Sequence, residues 1–175
     1  MNGFSTPNLT CLDVSMCDKL NSLPEPINIF IGLKGLTIQN LPNLESFANE
    51  GLPVNLRSFI VCSPGSSWTR AISEWSLQRL TCLVTLRIGG DDLLNALMNM
   101  KVPLLPNPLV SLYIYNLSDV KFLDGKWLQH LTSLENLEIA SCRKLLESLP
   151  EEGLPSSLSD TMLFNLFLLQ LLIPT

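Results

Sequence analysis

The chain has 175 residues, 46% of them hydrophobic and 15% charged, with 11 Lys and Arg against 16 Asp and Glu. A net charge of −5 and a pI near 4.8 disfavour a nucleic-acid partner, because binding a phosphate backbone needs clustered basic side chains. One histidine and five cysteines without a Cys-x-x-Cys pair argue against a zinc site, and the odd thiol count fits a reducing compartment.

From residue 9 onward the chain repeats the spacing Leu-x-x-Leu-x-Leu. The units start at Leu9, Leu33, Leu56, Leu83, Leu109, Leu134 and Leu158, at intervals of 24, 23, 27, 26, 25 and 24 residues. That period with that internal spacing is the signature of a leucine-rich repeat. The fourth and sixth residues of each unit are apolar and alternate with mostly polar neighbours, as in Leu36 and Ile38 or Leu112 and Ile114. Such alternation defines a half-buried strand. One unit cannot bury its apolar side alone, so successive units must stack. The expected fold is α/β: a leucine-rich-repeat solenoid, or horseshoe, with a concave parallel sheet of about six to seven strands and irregular or short-helical convex returns. The array occupies 1–160, and the apolar stretch 161–175 reads as a degraded last repeat.

The return segments carry their own signals, in chain order. Cys17, at the ninth position of the first unit, is expected to point inward. Gly51-Leu52-Pro53 punctuates the turn before the third strand, and Gly153-Leu154-Pro155 the turn before the seventh. Trp68 to Leu80 is a candidate helix with Ala71, Ile72, Trp75 and Leu80 on one side. Asp91 to Lys101 is another, capped by Asp91 or Asp92 and stopped by Pro103, with Leu93, Leu97 and Met100 as its buried stripe. Leu77-Gln78-Arg79-Leu80-Thr81 is echoed 51 residues later by Leu128-Gln129-His130-Leu131-Thr132. Cys142 is the sixth unit's counterpart of Cys17. Neither end carries a polar cap, so the chain reads as a piece of something larger. The first seven residues lack the features of a signal peptide. Asn165 and Gln170 interrupt a tail already short of the roughly 20 apolar residues of a membrane span, so membrane association is not expected.

No motif for catalysis emerges, and the expectation is a non-enzyme without cofactor or metal. His130 is the repeat counterpart of Arg79 and reads as a surface residue. Gly32-Leu33-Lys34-Gly35 sits on a repeat strand rather than before a helix, so it is no phosphate loop. Asp91-Asp92 and Glu151-Glu152 read as a helix start and a turn. What remains is a surface. The third, fifth, seventh and eighth residues of each unit should face away from the core, on the concave side. Among them Asp13, Gln39, Arg87, Tyr113, Tyr115 and Glu138 are the candidate partner-binding residues. Tyr113 and Tyr115 are the large side chains of that face, and Tyr and Arg dominate binding hot spots.

Several phrases are more specific than the repeat. Leu12-Asp13-Val14-Ser15 followed by Cys17-Asp18-Lys19-Leu20, Leu41-Pro42-Asn43-Leu44-Glu45-Ser46-Phe47, Glu50-Gly51-Leu52-Pro53-Val54-Asn55-Leu56-Arg57-Ser58, Leu77 to Thr81, and Leu145 to Pro155 are of this kind. They resemble the C-terminal repeats of plant intracellular nucleotide-binding leucine-rich-repeat disease-resistance proteins of the coiled-coil class. The resemblance covers roughly residues 8 to 160. It implies a cytoplasmic recognition module whose partner is a pathogen effector, a guarded host protein, or the nucleotide-binding domain of a parent receptor. The phosphate loop and coiled coil of that family are not in this sequence. After Ser159 the apolar tail stands where a regular last strand is expected. An extracellular or membrane-tethered repeat protein is the alternative, but extracellular plant repeats favour Asn at the ninth position and a following Ile-Pro phrase. Here that position holds Cys17, Leu41, Leu117 or Cys142.

Overall fold

In the computed structural model, residues 8–23, 26–44, 51–62, 72, 75–99, 105–121, 125–142 and 154–164 are described. Each of the seven units contributes one strand, which begins at its third residue. The strands are β1 (Cys11–Ser15), β2 (Gly35–Gln39), β3 (Ser58–Cys62), β4 (Thr85–Gly89), β5 (Ser111–Leu117), β6 (Asn136–Cys142) and β7 (Asp160–Phe164). They form one parallel sheet in sequential order, β1 through β7. This layout is compatible with a solenoid.

The alternation of side chains explains the strands, and the register shows that the alternation is shared. Leu36 aligns with Phe59, Phe59 with Leu86, Leu86 with Leu112, and Leu112 with Leu137. Ile38, Val61, Ile88, Ile114 and Ile139 form a second aligned row two residues on. All are buried in one continuous core, joined by the first residues of the units, Leu33, Leu56, Leu83, Leu109 and Leu134. A slip of one residue would turn each of these rows to the opposite face. The exception is β1, where Leu12 and Val14 are only half-buried.

Backbone hydrogen bonds repeat with the same register. The carbonyl of each second residue accepts from two successive amides of the next unit. Lys34 and Gly35 donate to Thr10, Arg57 and Ser58 to Lys34, Val84 and Thr85 to Arg57, Val110 and Ser111 to Val84, and Glu135 and Asn136 to Val110. The eighth residue takes a positive φ, following the strand in β1, β2 and β4 and lying inside the longer β5 and β6: Met16, Asn40, Asn116 and Ser141 have φ between 51° and 56°, and Gly90 has φ 109°. The amides of Met16, Asn40 and Gly90 then donate to the seventh carbonyl of the following unit, on Gln39, Cys62 and Tyr115.

Left-handed backbone strains most side chains, while asparagine tolerates it and glycine is free of the cost. Met16 gains no packing in return, being 77% exposed. Met16→Gly should therefore stabilise the chain by about 0.5–1 kcal/mol, after the extra entropy of an unfolded glycine is counted. A urea midpoint unchanged or lowered by this substitution would mean that the turn is not left-handed in solution.

The connections alternate between two forms. Units two, four and six are entered through 3-10 turns near Ile27–Ile29, Leu77–Arg79 and Gly125–Leu128. The amides of Phe30, Leu80 and Leu131 bond to the carbonyls of Ile27, Leu77 and Leu128, and those of Leu33, Leu83 and Leu134 to Phe30, Leu80 and Leu131. The echo at Leu77 and Leu128 thus follows one backbone path. Units three, five and seven are instead entered through a buried proline. Leu56, Leu109 and Leu158 donate to the carbonyls of Pro53, Pro106 and Pro155.

Several sequence expectations are corrected or narrowed. Within the described part of 68–80, the chain forms a turn and the 3-10 segment Leu77–Arg79, with Ile72 and Trp75 buried. Ala71 lies outside the described residues. Trp75 meets Phe59 edge to face, with ring centroids 5.6 Å apart. The helix expected at 91–101 is present as α1 (Asp91–Met98), buried through Leu93, Leu94 and Leu97. Met100 and Pro103 lie outside the described residues. Its N-cap is Gly90, and neither aspartate caps it with a side-chain hydrogen bond. Cys142 is buried as expected, but Cys17 is exposed, just after half-buried β1, which is the edge strand of the sheet among the described residues. His130 is half-buried rather than on the surface, and its Nε2 lies 2.9 Å from the Leu105 carbonyl oxygen. Finally, β7 extends to Phe164, with Leu163 in register with Ile139. Residues 165–175 lie outside the described residues.

Candidate functional site

The strands place the third, fifth and seventh positions of each unit on the side of the sheet away from the core. In the fifth position, Asp13, Thr37, Ile60, Arg87, Tyr113 and Glu138 form one row across β1 to β6. In the seventh, Ser15, Gln39, Cys62, Gly89, Tyr115 and Ala140 form another. Neighbouring strands are about 4.8 Å apart. Arg87, Tyr113 and Glu138 are therefore immediate neighbours, with Tyr115 beside them. Asp13 is three strands from Arg87, and Gln39 three strands from Tyr115, so neither joins the cluster.

Arg87 is exposed and its guanidinium carbon stands 4.3 Å from the centre of the Tyr113 ring. The ring's negative face attracts the cation, and the planar guanidinium can stack on it. Tyr113 and Glu138 are half-buried. The cluster thus offers one cation, an aromatic surface and one carboxylate within three strands. Asp13 instead accepts a hydrogen bond from the Ser15 hydroxyl on its own strand.

Tyr115 leans the other way, toward β3. Its side chain is hydrogen-bonded to that of Cys62 across β4, where Gly89 has no side chain to intervene. Burial, and then the neighbouring Cys62, push the Tyr115 phenol well above its ordinary pKa, and Arg87 offsets this in part. The amide of Asn116 lies 3.9 Å from the Cys62 sulfur. Cys62 and Gly89 were expected to be ordinary outward residues, yet both are buried. The signal for their role was a Cys-Gly-Tyr sequence at one repeat position, visible only once the strands are aligned.

A second feature lies at the end of this face. The Asp91 carboxylate accepts the backbone amides of Ser118, Asp119 and Val120 from the next unit, at 2.9, 3.0 and 3.1 Å. Among the described residues, no group of three or more His, Cys, Asp or Glu side chains could hold a metal ion. No helix among them is long and apolar enough to cross a membrane.

Seven parallel strands laid down in order, with a polar and aromatic row on one side and a shared leucine core on the other, define an α/β protein built on one parallel sheet. Among proteins of known description, the chain is 32% identical over 156 residues to a candidate disease resistance protein of Arabidopsis thaliana. The match takes in 89% of this chain and 11% of the Arabidopsis protein, so the chain corresponds to a small part of that relative. It is related over most of its length to a plant disease-resistance protein. No family model and no solved structure matches it.

Proposed function

We propose that this chain is a leucine-rich-repeat recognition segment of a plant immune receptor, acting in defence by binding protein on a concave sheet face. It does so without catalysis or cofactor. The observation that carries this reading is the contiguous Arg87–Tyr113–Glu138 row with Tyr115 at its side. These are the residue types that concentrate binding energy, held on strands rather than on loops. The relation to a disease-resistance protein supports the biological setting. The partner is a pathogen effector, a guarded host protein or the receptor's own nucleotide-binding domain. Five free cysteines support a cytoplasmic location, since oxidising compartments favour disulfides.

The test is to place Tyr113→Ala and Tyr115→Ala in a full-length receptor carrying these repeats. Loss of a hot spot costs about 2 kcal/mol or more of binding, roughly a 30-fold weakening. Recognition or autoactivity should change while protein level stays normal. Unchanged behaviour in both assays would reduce the row to ordinary solvated surface.

A further inference from the structure

Cys62 is only 7% exposed although it lies on the side of the sheet away from the core. Its cover comes from two strands away. A Cβ added to Gly89 would stand 2.6 Å from the Cys62 sulfur, 2.8 Å from Tyr115 Cε2 and 3.1 Å from Tyr115 Cζ. The space above Gly89 is therefore already filled, from one side by the thiol and from the other by the phenol ring. The Asn116 amide approaches the same sulfur. On its own strand Gly89 has Arg87 two residues away, stacked on Tyr113. Both tyrosines are thus held by β4, one through a cation and one through a missing side chain.

We propose that Gly89 and Cys62 are positioning residues that hold Tyr115 flat across β4, making its ring a fixed part of the partner-binding surface. The binding half of this inference rests on the recognition role proposed above; the positioning half does not. A tyrosine free in solvent must lose rotamer freedom on binding, whereas one already seated avoids most of that cost. Gly89 is then a specificity-determining position. Any side chain there must lift the ring, move the thiol, or both, and so change the shape presented beside Tyr113.

Cysteine labelling of the folded full chain tests this directly. N-ethylmaleimide modification would be followed at each cysteine by mass spectrometry. Exposed Cys11, Cys17 and Cys82 should react first and serve as the fast reference. Buried Cys142, whose thiol pKa is raised by burial, should react slowly and report global opening. Cys62 should be slow in the unaltered chain. Tyr115→Ala and Gly89→Ala should each accelerate it by about tenfold or more, through loss of local cover alone, with Cys142 still protected. Tyr115→Phe keeps the ring and should keep Cys62 slow. Wild-type Cys62 reacting as fast as Cys82 would overturn the proposal, as would no acceleration in Tyr115→Ala. If Gly89→Ala opens Cys142 as well, Tyr115→Ala decides the matter, since it removes atoms and adds none.

A spectroscopic readout separates positioning from general loosening. In a Tyr113→Phe background Tyr115 is the sole phenol, and its ionisation should lie above the ordinary tyrosine value. Gly89→Ala should bring it down as the ring returns to water. No downward shift would count against the seat. In the receptor, Gly89→Ala should reproduce the effect of Tyr115→Ala. A receptor indifferent to both, with Cys62 uncovered in the labelling experiment, would sink the recognition role and leave the positioning intact.

Discussion

Leu112→Ala should shift the unfolding transition of the entire chain by about 2–5 kcal/mol, the range for a core leucine cut back to alanine. Leu112 is fully buried near the start of β5, in register with Leu86 on one side and Leu137 on the other. Alanine there removes packing atoms from both neighbours at once. Each unit of a repeat array is stabilised mainly by the units next to it, so the damage should reach β4 and β6 rather than stay in β5. Leu137→Ala should behave alike, being in the same row. One residue along β5, Tyr113→Ala should move the midpoint by only about 1 kcal/mol, because it loses a cation–π contact at a half-buried site. Urea titrations followed by circular dichroism would compare the three. A silent Leu112→Ala beside a severe Tyr113→Ala would mean that the sheet faces the opposite way.

The strands were legible because their chemistry is repeated. Leu36, Phe59, Leu86, Leu112 and Leu137 each sit at the fourth position of a unit, and each is buried for the same reason. Even the weakest unit keeps its register, with Thr161 opposite Leu137 and Leu163 opposite Ile139. The connections were less legible because their signals are short. Pro53, Pro106 and Pro155 mark alternate entries into strands, but only the backbone shows that the intervening units share a 3-10 turn. The site was half visible. Arg87, Tyr113 and Glu138 could be aligned by counting, since equal positions on parallel strands are neighbours. Tyr115 could be placed, but its lean across Gly89 onto Cys62 depends on rotamers that no repeat spacing encodes. Asp13 and Gln39 looked equivalent to the others by type. Their distance along the sheet, not their chemistry, removes them from the cluster.

Asp91 is the residue whose role the sequence misassigned most, and its loss should be the larger surprise in experiment. As a helix cap it would be worth about 1 kcal/mol. Instead its two carboxylate oxygens take up three successive amides, from Ser118, Asp119 and Val120, where the fifth unit turns away from β5. A carboxylate that accepts backbone N–H groups makes charge-assisted bonds, stronger than neutral ones. Val120 is buried, so its amide has little access to water if the carboxylate is removed. Asp91 also stands in the first turn of α1, where a negative charge is favourable. Asp91→Ala should therefore destabilise the chain by about 2–3 kcal/mol, less than three full charged bonds because Ser118 and Asp119 are exposed and can bond water instead. Asp91→Asn should retain part of that stability, since its single amide oxygen can still accept. Hydrogen exchange supplies the local check. The amides of 118–120 should lose protection in Asp91→Ala, while that of Leu94, bonded to Gly90 within the helix start, should change less. Equal loss at both places would mean that Asp91 supports α1 after all; retained protection at 118–120 would mean that the carboxylate does not bridge the two units.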